Sequence, residues 1–357
     1  MITYKFKLKV NATQKQTLTR YINTCRAIYN VALEQRIAAY KAGRSENFIT
    51  QCRQLTDLRK EFDWVKEVPV NTEQDVLERL EKAYKSFFKG AGFPKFAKKV
   101  NYNSVVFKSL KVQDGAVVLP KIGCIRMFQS RPVHDNAKRA TVTREGEDFY
   151  ICIVSDFSPD ELPHNDNQVG VDVGISYYLS TDQGGQIDNP RFLQNTLKQL
   201  RKEQRSLSRK KRGSSNWHKQ VKVVAKLHRK VTRQRTDFIH KLTTSLIREY
   251  GFIAAENLNV KGMVKSRLAR QISDAAWGTF FEQLRYKAEW YGRTFVQVNP
   301  KYTSQTCNSC GHTAKENRVS QSLFKCVSCG HTANADVNGA LNILERGQTL
   351  FASQVSI

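Results

Sequence analysis

Seven side chains in this 357-residue sequence could do chemistry together. Four are cysteines: Cys307 and Cys310, then Cys326 and Cys329, two Cys-x-x-Cys pairs with fifteen residues between them. That spacing offers four thiolates to one tetrahedral zinc ion and predicts a structural zinc ribbon. Gly311 and Gly330 follow the second cysteine of each pair, where a tight turn needs positive φ. With four thiolates available, His312 and His331 are spare. The other three residues are acids. Asp172 lies in the apolar run VGVDVG, where a carboxylate is costly unless it is paired or binds metal. Glu256 ends FIAAE, an apolar strand of the buried parallel type, and functional groups gather at strand carboxyl ends in open α/β sheets. Asp336 opens an apolar-periodic helix bearing Val337, Ala340, Leu341 and Leu344, and alone it would be a capping residue.

The order Asp, Glu, Asp is that of the acids in an RNase H-like fold. Three converging carboxylates repel unless cations sit between them. Two Mg²⁺ ions, with Mn²⁺ as a substitute, would activate a water and stabilise a leaving 3′-oxygen in phosphodiester hydrolysis. A transposase-type Asp-Asp-Glu centre is disfavoured: Glu345 is the late glutamate available, and nine helical residues place it opposite Asp336.

Composition points to the same class of substrate. With 58 Lys+Arg against 32 Asp+Glu, the formal charge is +26, the excess expected of a chain held against phosphate. Residues 198–235 hold fifteen Lys/Arg and one acid, Glu203. Such a run repels itself and calls for a polyanion. Arg209, Lys210, Lys211, Arg212, Arg229, Lys230 and Arg233 are its candidate contacts. In GAGFPKFAKK (90–99), aromatics alternate with Lys95, Lys98 and Lys99, a composition suited either to stacking on bases or to a plain solvated linker. No apolar run approaches the roughly 20 residues of a spanning helix, and MITYKFKLKV has no signal-peptide core. The expectation is a soluble cytoplasmic protein without a membrane partner. Cys25, Cys52, Cys124 and Cys152 stand singly and read as reduced thiols.

The elements that must position these residues follow from periodicity. Residues 2–10 alternate apolar with mainly lysine, a strand with one basic face. A capping box at Thr13 and Gln16 predicts a helix to Gly43, with further helices over 48–62 and 73–89. The last is expected to start after Thr72, with Asp75 at its box position and Val76, Leu77, Leu80, Tyr84, Phe87 and Phe88 inward. Short strands with turns at Asp114-Gly115, Gly123 and Glu145-Gly146 fill 103–157 and predict a small β-barrel or sandwich. After the polar linker ELPHNDNQ, a strand, a turn at Gly174, a return strand and a tip at Gly184-Gly185 begin a second domain. Two long basic helical segments meet near Gly213. A helix over 274–291 turns Trp277, Phe280, Phe281, Leu284, Ala288 and Tyr291 to the core, and a strand over 294–298 ends at Asn299-Pro300.

GVDVGIS, AAENL, DAAWGTFFEQLRYKAEWYGR, NPKYTSQTCNSCG, CVSCG and ADVNGALNIL resemble the TnpB family of IS200/IS605-type transposon proteins, similar to Cas12 nucleases. The match is dense over 169–345, and FPKF and the strand-plus-helices opening also agree. Asn334-Ala335 stands where many members have Asp-Arg, and Gly339 where many have Ala. The resemblance implies an α+β multidomain RNA-guided DNA endonuclease. Its parts would be a wedge-like β-barrel (1–10 plus 91–165), an inserted helical recognition domain (11–90), a RuvC nuclease domain (166–301 plus 334–346), a zinc-ribbon insertion (302–333) and a tail (347–357). Asp172, Glu256 and Asp336 fall on the family's catalytic, Mg²⁺-binding positions and the four cysteines on its zinc positions. The implied partners are a guide RNA from the transposon end and double-stranded target DNA beside a short flanking motif, with no protein oligomer required. A prokaryotic, nucleoid-associated setting follows. With no HNH-like histidine pattern, a single centre would cut both strands of an opened duplex in turn. The competing readings are a nucleic-acid-binding regulator, against which the intact acids argue, and a transposase or its accessory protein.

Overall fold

A computed structural model describes residues 2–133, 137–156 and 159–355. The chain divides into two compact units, Met1–Ser158 and Pro159–Ile357.

The first unit opens with β1 (Ile2–Lys9), whose Ile2, Phe6 and Leu8 are buried while Lys5 and Lys9 are exposed, as alternation requires. Four helices follow: α1 (Ala12–Lys41), α2 (Phe48–Glu61), α3 (Asp63–Lys66) and α4 (Val70–Phe88). The capping box of α1 is made by Asn11 with Gln14, two residues before the expected one at Thr13. The Asn11 side chain accepts the Gln14 N–H at 2.8 Å and Gln14 reaches back to the Asn11 N–H at 3.1 Å. α4 likewise starts ahead of Thr72, at Val70, with Pro69 as its extended N-cap residue (φ −60°, ψ 133°). Asp75, expected as a cap, is instead buried and ion-paired with Arg79 at 2.7 Å and Arg139 at 2.5 Å.

The strands β2 (Ser104–Phe107), β3 (Lys111–Gln113), β4 (Ala116–Leu119), β5 (Gly123–Phe128), β6 (Ala137–Glu145) and β7 (Asp148–Ser155) join β1 in one antiparallel sheet. Its order is β2-β6-β7-β1-β5-β4-β3. The first strand is therefore central, bonded to β7 and β5, and the helices intervene in sequence between neighbours in space. One core serves sheet and helices: Phe6, Val142, Phe149 and Ile151 share it with Leu18, Ile22, Leu77 and Leu80.

The second unit is built on a five-stranded mixed sheet of β8 (Gln168–Asp172), β9 (Tyr177–Thr181), β10 (Gln186–Asp188), β11 (Phe252–Glu256) and β12 (Thr294–Val298). The order is β10-β9-β8-β11-β12, with β11 parallel to both β8 and β12 and the β8–β9–β10 ladder antiparallel. Between β10 and β11 run α5 (Phe192–Ser208) and α6 (Ser215–Glu249), which turn at Gly213, φ 83°. After β11 come α7 (Val260–Met263), α8 (Ala269–Ala275) and α9 (Trp277–Trp290), and α9 is the helix expected over 274–291, its first residues belonging to the end of α8. Ala276 breaks it by adopting φ 53°. Trp277, Phe280 and Leu284 enter the core with Ile239, Leu246 and Val171, as the helical spacing expects. After β12 come the cysteine segment, with β13 (Leu323–Lys325) and β14 (Thr332–Asn334), and a final helix α10 (Ala335–Val355). The described part of the expected tail is thus helical, and Phe351 packs against Phe252 with ring centroids 5.7 Å apart. Residues 356–357 lie outside the described residues. No helix among the described residues is long and apolar enough to cross a membrane.

Candidate active site

Parallel pairing brings the first two acids together. Ala255 on β11 pairs with Val171 on β8, so Glu256 and Asp172 are the next residues on adjacent strands, at the carboxyl ends of both. Neighbouring strands lie about 4.8 Å apart, which leaves the two carboxylates side by side. The third acid arrives on α10. There the Asn334 side chain is the cap, accepting the N–H groups of Asp336 at 2.9 Å and Val337 at 3.3 Å. This frees the Asp336 carboxylate from capping.

α10 reaches the sheet because two contacts lack side chains. A β-carbon at Gly170 would lie 2.0 Å from the Ala340 carbonyl oxygen, and one at Gly347 would lie 2.6 Å from the Ala254 β-carbon. At Gly339 the approach is looser, since a β-carbon there would meet an Asp172 carboxylate oxygen at 3.6 Å, an ordinary contact. The helix carrying Asp336 is thereby held against the strand carrying Asp172. Its buried face is Asn338, Gly339, Ala340, Asn342, Ile343 and Gly347, with Val337, Leu341 and Leu344 only half-buried. The apolar stripe expected for this helix is largely a small-residue and asparagine stripe.

The electrostatics record the convergence. Burial pushes Asp172 up to about 7, and the neighbouring charges of Glu256 and Asp336 push it the same way. Glu256 and Asp336 are also raised, chiefly by burial. The opposing charge is Arg318, whose guanidinium lies 3.6 Å from Asp336 and favours ionisation of all three acids. The Thr303 hydroxyl donates to Glu256. Neither residue is marked by sequence pattern, because both come from the cysteine segment, distant in sequence from the strands they meet.

That segment forms the second part of the site. The sulfurs of Cys307, Cys310, Cys326 and Cys329 all lie within 4.8 Å of one another, the one group of this kind among the described residues. Cys307 and Cys329 are 3.8 Å apart and Cys310 and Cys326 3.6 Å. A zinc ion at about 2.3 Å from four sulfurs requires tetrahedral edges of about 3.8 Å, so the donor set fits that metal. The two halves repeat: Gly311 N–H donates to Cys307 O and Gly330 N–H to Cys326 O, both glycines at φ 74°. His312 and His331 offer their backbone carbonyls to Cys307 and Cys326, and neither ring joins the sulfur cluster. The Cys329 N–H directed at the Cys326 sulfur lowers that thiol's pKa.

Two asparagines fasten this segment to α10. Asn338 donates to the Thr306 carbonyl at 2.8 Å and accepts the Asn308 N–H at 3.2 Å. Asn342, one turn on, donates to Thr303 and Thr306 carbonyls at 2.8 and 2.7 Å. The signal in the sequence was an i, i+4 asparagine pair on a face that otherwise packs.

The candidate phosphate contacts lie apart from the acids along the chain. Arg209, Lys211, Arg212, Lys230 and Arg233 are exposed and Lys210 and Arg229 half-buried, all on or between α5 and α6. A groove of about 1250 Å³ along α5 is lined by Lys198, Arg201, Lys202, Arg205, Arg209 and Lys210 among others. Arg235, in the same run, is committed inward to Asp274 at 2.9 Å. In the first unit, Lys95, Lys98 and Lys99 are exposed. Their loop is no loose linker: Asn30 clasps Ala97 through both its N–H and its carbonyl, at 2.7 and 3.2 Å.

These features define an α/β protein in which a four-cysteine segment separates β12, the edge strand of the mixed sheet, from the final helix α10, with acids from strand, strand and helix brought together. Sequence comparison agrees. Residues 150–267 match the IS605 OrfB profile described as "Probable transposase", and residues 277–343 one described as "Cas12f1-like, TNB domain". Residues 1–45 match a profile described as "Helix-turn-helix domain", although here they form β1 and the single helix α1. The chain is 34% identical to "Putative RNA-guided DNA endonuclease InsQ" of Escherichia coli (strain K12), over 98% of this chain and 93% of that one. It is 32% identical to a "Putative RNA-guided DNA endonuclease" of Streptomyces pristinaespiralis, over 96% and 89%. A solved Cas12f1–sgRNA–target DNA complex aligns at 18% identity and TM-score 0.38, over 96% of this chain and 99% of that one. The chain belongs to the TnpB family of transposon-encoded proteins.

Proposed function

We propose that this protein is an RNA-guided DNA endonuclease that hydrolyses target-DNA phosphodiester bonds at one RuvC-type centre made by Asp172, Glu256 and Asp336. The observation that carries the reading is the meeting of these three acids at one end of the mixed sheet, with burial and mutual repulsion raising Asp172. The relatives named as RNA-guided DNA endonucleases supply the guide RNA, here assigned to the transposon end, and the duplex target.

Divalent cations bound by the acids, Mg²⁺ or Mn²⁺, would supply an activated water and stabilise the leaving 3′-oxygen. The protein's own part is geometric. Asp172 and Glu256 are fixed by strand register, Asp336 by its asparagine-capped helix, and Thr303 orients Glu256 by its hydrogen bond. Arg318, 3.6 Å from Asp336, is the cation at the acids that would face the scissile phosphate, whose charge grows during attack. Zinc on the four cysteines is structural, since four protein ligands leave no position for water. The α5–α6 hairpin holds nucleic-acid backbone through Arg209, Lys210, Lys211, Arg212, Arg229, Lys230 and Arg233, and the 90–99 loop does so through Lys95, Lys98 and Lys99. The antiparallel sheet acts as the wedge and α1–α4 as the recognition helices, reading a short duplex motif beside the target.

The test is guide exchange. Protein purified with its RNA should cut DNA matching that RNA's 3′ segment, and a new segment should redirect cutting without any change in the protein. RNA-free protein that cuts the same DNA at the same place would reduce the reading to an unguided metal nuclease.

A further inference from the structure

α4 was expected to bury Phe87 and Phe88. Phe88 is instead 79% exposed, and Tyr40 near the end of α1 is 84% exposed. The two border a cleft of about 650 Å³ in the first unit, the size of a small-molecule site. Its interior is aromatic. Phe93 stands edge-on to both Phe87 and Tyr84, with ring centroids 5.3 and 5.7 Å apart. The buried Arg36 lies over the Tyr84 ring at 4.9 Å and is itself fixed by Glu81 at 2.8 Å and Gln51 at 2.9 Å. The Tyr84 wall is therefore rigid while Tyr40 and Phe88 stand open to solvent.

The rim decides what such a cleft takes. Lys41, Arg44 and Lys85 line it, and the chain leaving α4 continues through Lys89 to Lys95. Glu46 and Glu81 also line it, but Glu81 is engaged by Arg36 and Lys85, and Glu46 receives hydrogen bonds from Thr50 and Gln54. Exposed aromatic faces bordered by cations are the pattern that stacks bases while tracking phosphates. We propose that this cleft holds an unpaired base of a single-stranded nucleic acid, stacked on Phe88 and Tyr40, with its flanking phosphates on Lys41, Arg44 and Lys85. The proposal rests on the nuclease reading only in that the protein handles single strands.

The test reads binding and not cleavage, so failure of the nuclease reading leaves it interpretable. Full-length protein freed of RNA is titrated with labelled oligo-dT and oligo-U, and with versions carrying abasic sites. The Tyr40→Ala/Phe88→Ala double variant, altered only at exposed side chains, should bind the intact oligonucleotides roughly tenfold more weakly. It should also lose much of the wild-type preference for intact over abasic strands, with its salt dependence unchanged. Lys41→Ala/Lys85→Ala should instead flatten the salt dependence and keep that preference. The deoxy and ribo arms show which strand is taken. Photocrosslinking with 5-iodouracil should mark Tyr40, Phe88 or Phe93. Unchanged affinity and base preference in the aromatic double variant would overturn the proposal. So would a change confined to self-association in sedimentation, which would make the cleft a protein interface.

Discussion

The carbonyl oxygen of Ala340 lies 2.0 Å from where a β-carbon at Gly170 would be. Strand β8 and helix α10 touch backbone to backbone there, two residues before Asp172 and four after Asp336. Any side chain at position 170 must push the helix away. Gly170→Ala should destabilise the protein by about 1–3 kcal/mol, the usual result of overpacking. It should also lower cleavage more than binding, since it separates the acids. Thermal melts beside single-turnover cleavage check this, and a variant with wild-type activity would show that the close contact does not set the acid geometry.

Gly339 is the contrasting case. An alanine methyl there would reach Asp172 at 3.6 Å, an ordinary contact, in a helix that glycine weakens. Gly339→Ala should raise stability by about 0.5–1 kcal/mol with cleavage retained. A lower melting temperature would contradict the packing described.

Replacing Asp172, Glu256 or Asp336 by alanine should reduce metal-dependent cleavage more than about a hundredfold while nucleic-acid binding persists, because under the proposed function each substitution removes a metal ligand and no phosphate contact. Arg318→Ala should also slow cleavage at saturating Mg²⁺ and leave guide binding intact. Normal rates in any of the acid variants would remove that residue from the centre.

Metal analysis should find about one zinc per chain. Asn342→Ala, which leaves every cysteine in place, should lower activity with zinc retained, because it severs the ribbon's hold on α10 at the Thr303 and Thr306 carbonyls. Cys326→Ser should lose zinc and activity together. Full activity without zinc would show that the ribbon is dispensable.

Glu73 is fully buried against Arg59, and burial outweighs that partner, raising its carboxyl from 4.5 to about 7. Its folded value lies above its unfolded one, so between these pH values the folded chain keeps a proton that the unfolded chain has released. Stability should rise as pH falls through this window, by about 3 kcal/mol at most, and be lost as pH rises through 7. Glu73→Gln should flatten that part of the profile in melts from about pH 4.5 to about pH 8, a range chosen to span about one unit beyond the raised value. An unchanged slope would refute the assignment.

What could be read from the sequence was local in origin. Two matched Cys-x-x-Cys-Gly turns need only the residues between the ligands, and both glycines adopt the positive φ their spacing demanded. The alternation in β1 and the apolar run ending at Glu256 also declared their elements, because strand periodicity is a property of consecutive residues. What only tertiary structure decided lies between elements. Parallel register sets Asp172 beside Glu256, Arg318 comes to the acids from the ribbon, Asn338 and Asn342 bind that ribbon to α10, and Gly170 lets the helix approach. The same limit explains Phe88, which helical spacing turned inward and the fold leaves at an open cleft. Periodicity tells which side of a helix is apolar; whether another surface covers it depends on neighbours far away in the chain.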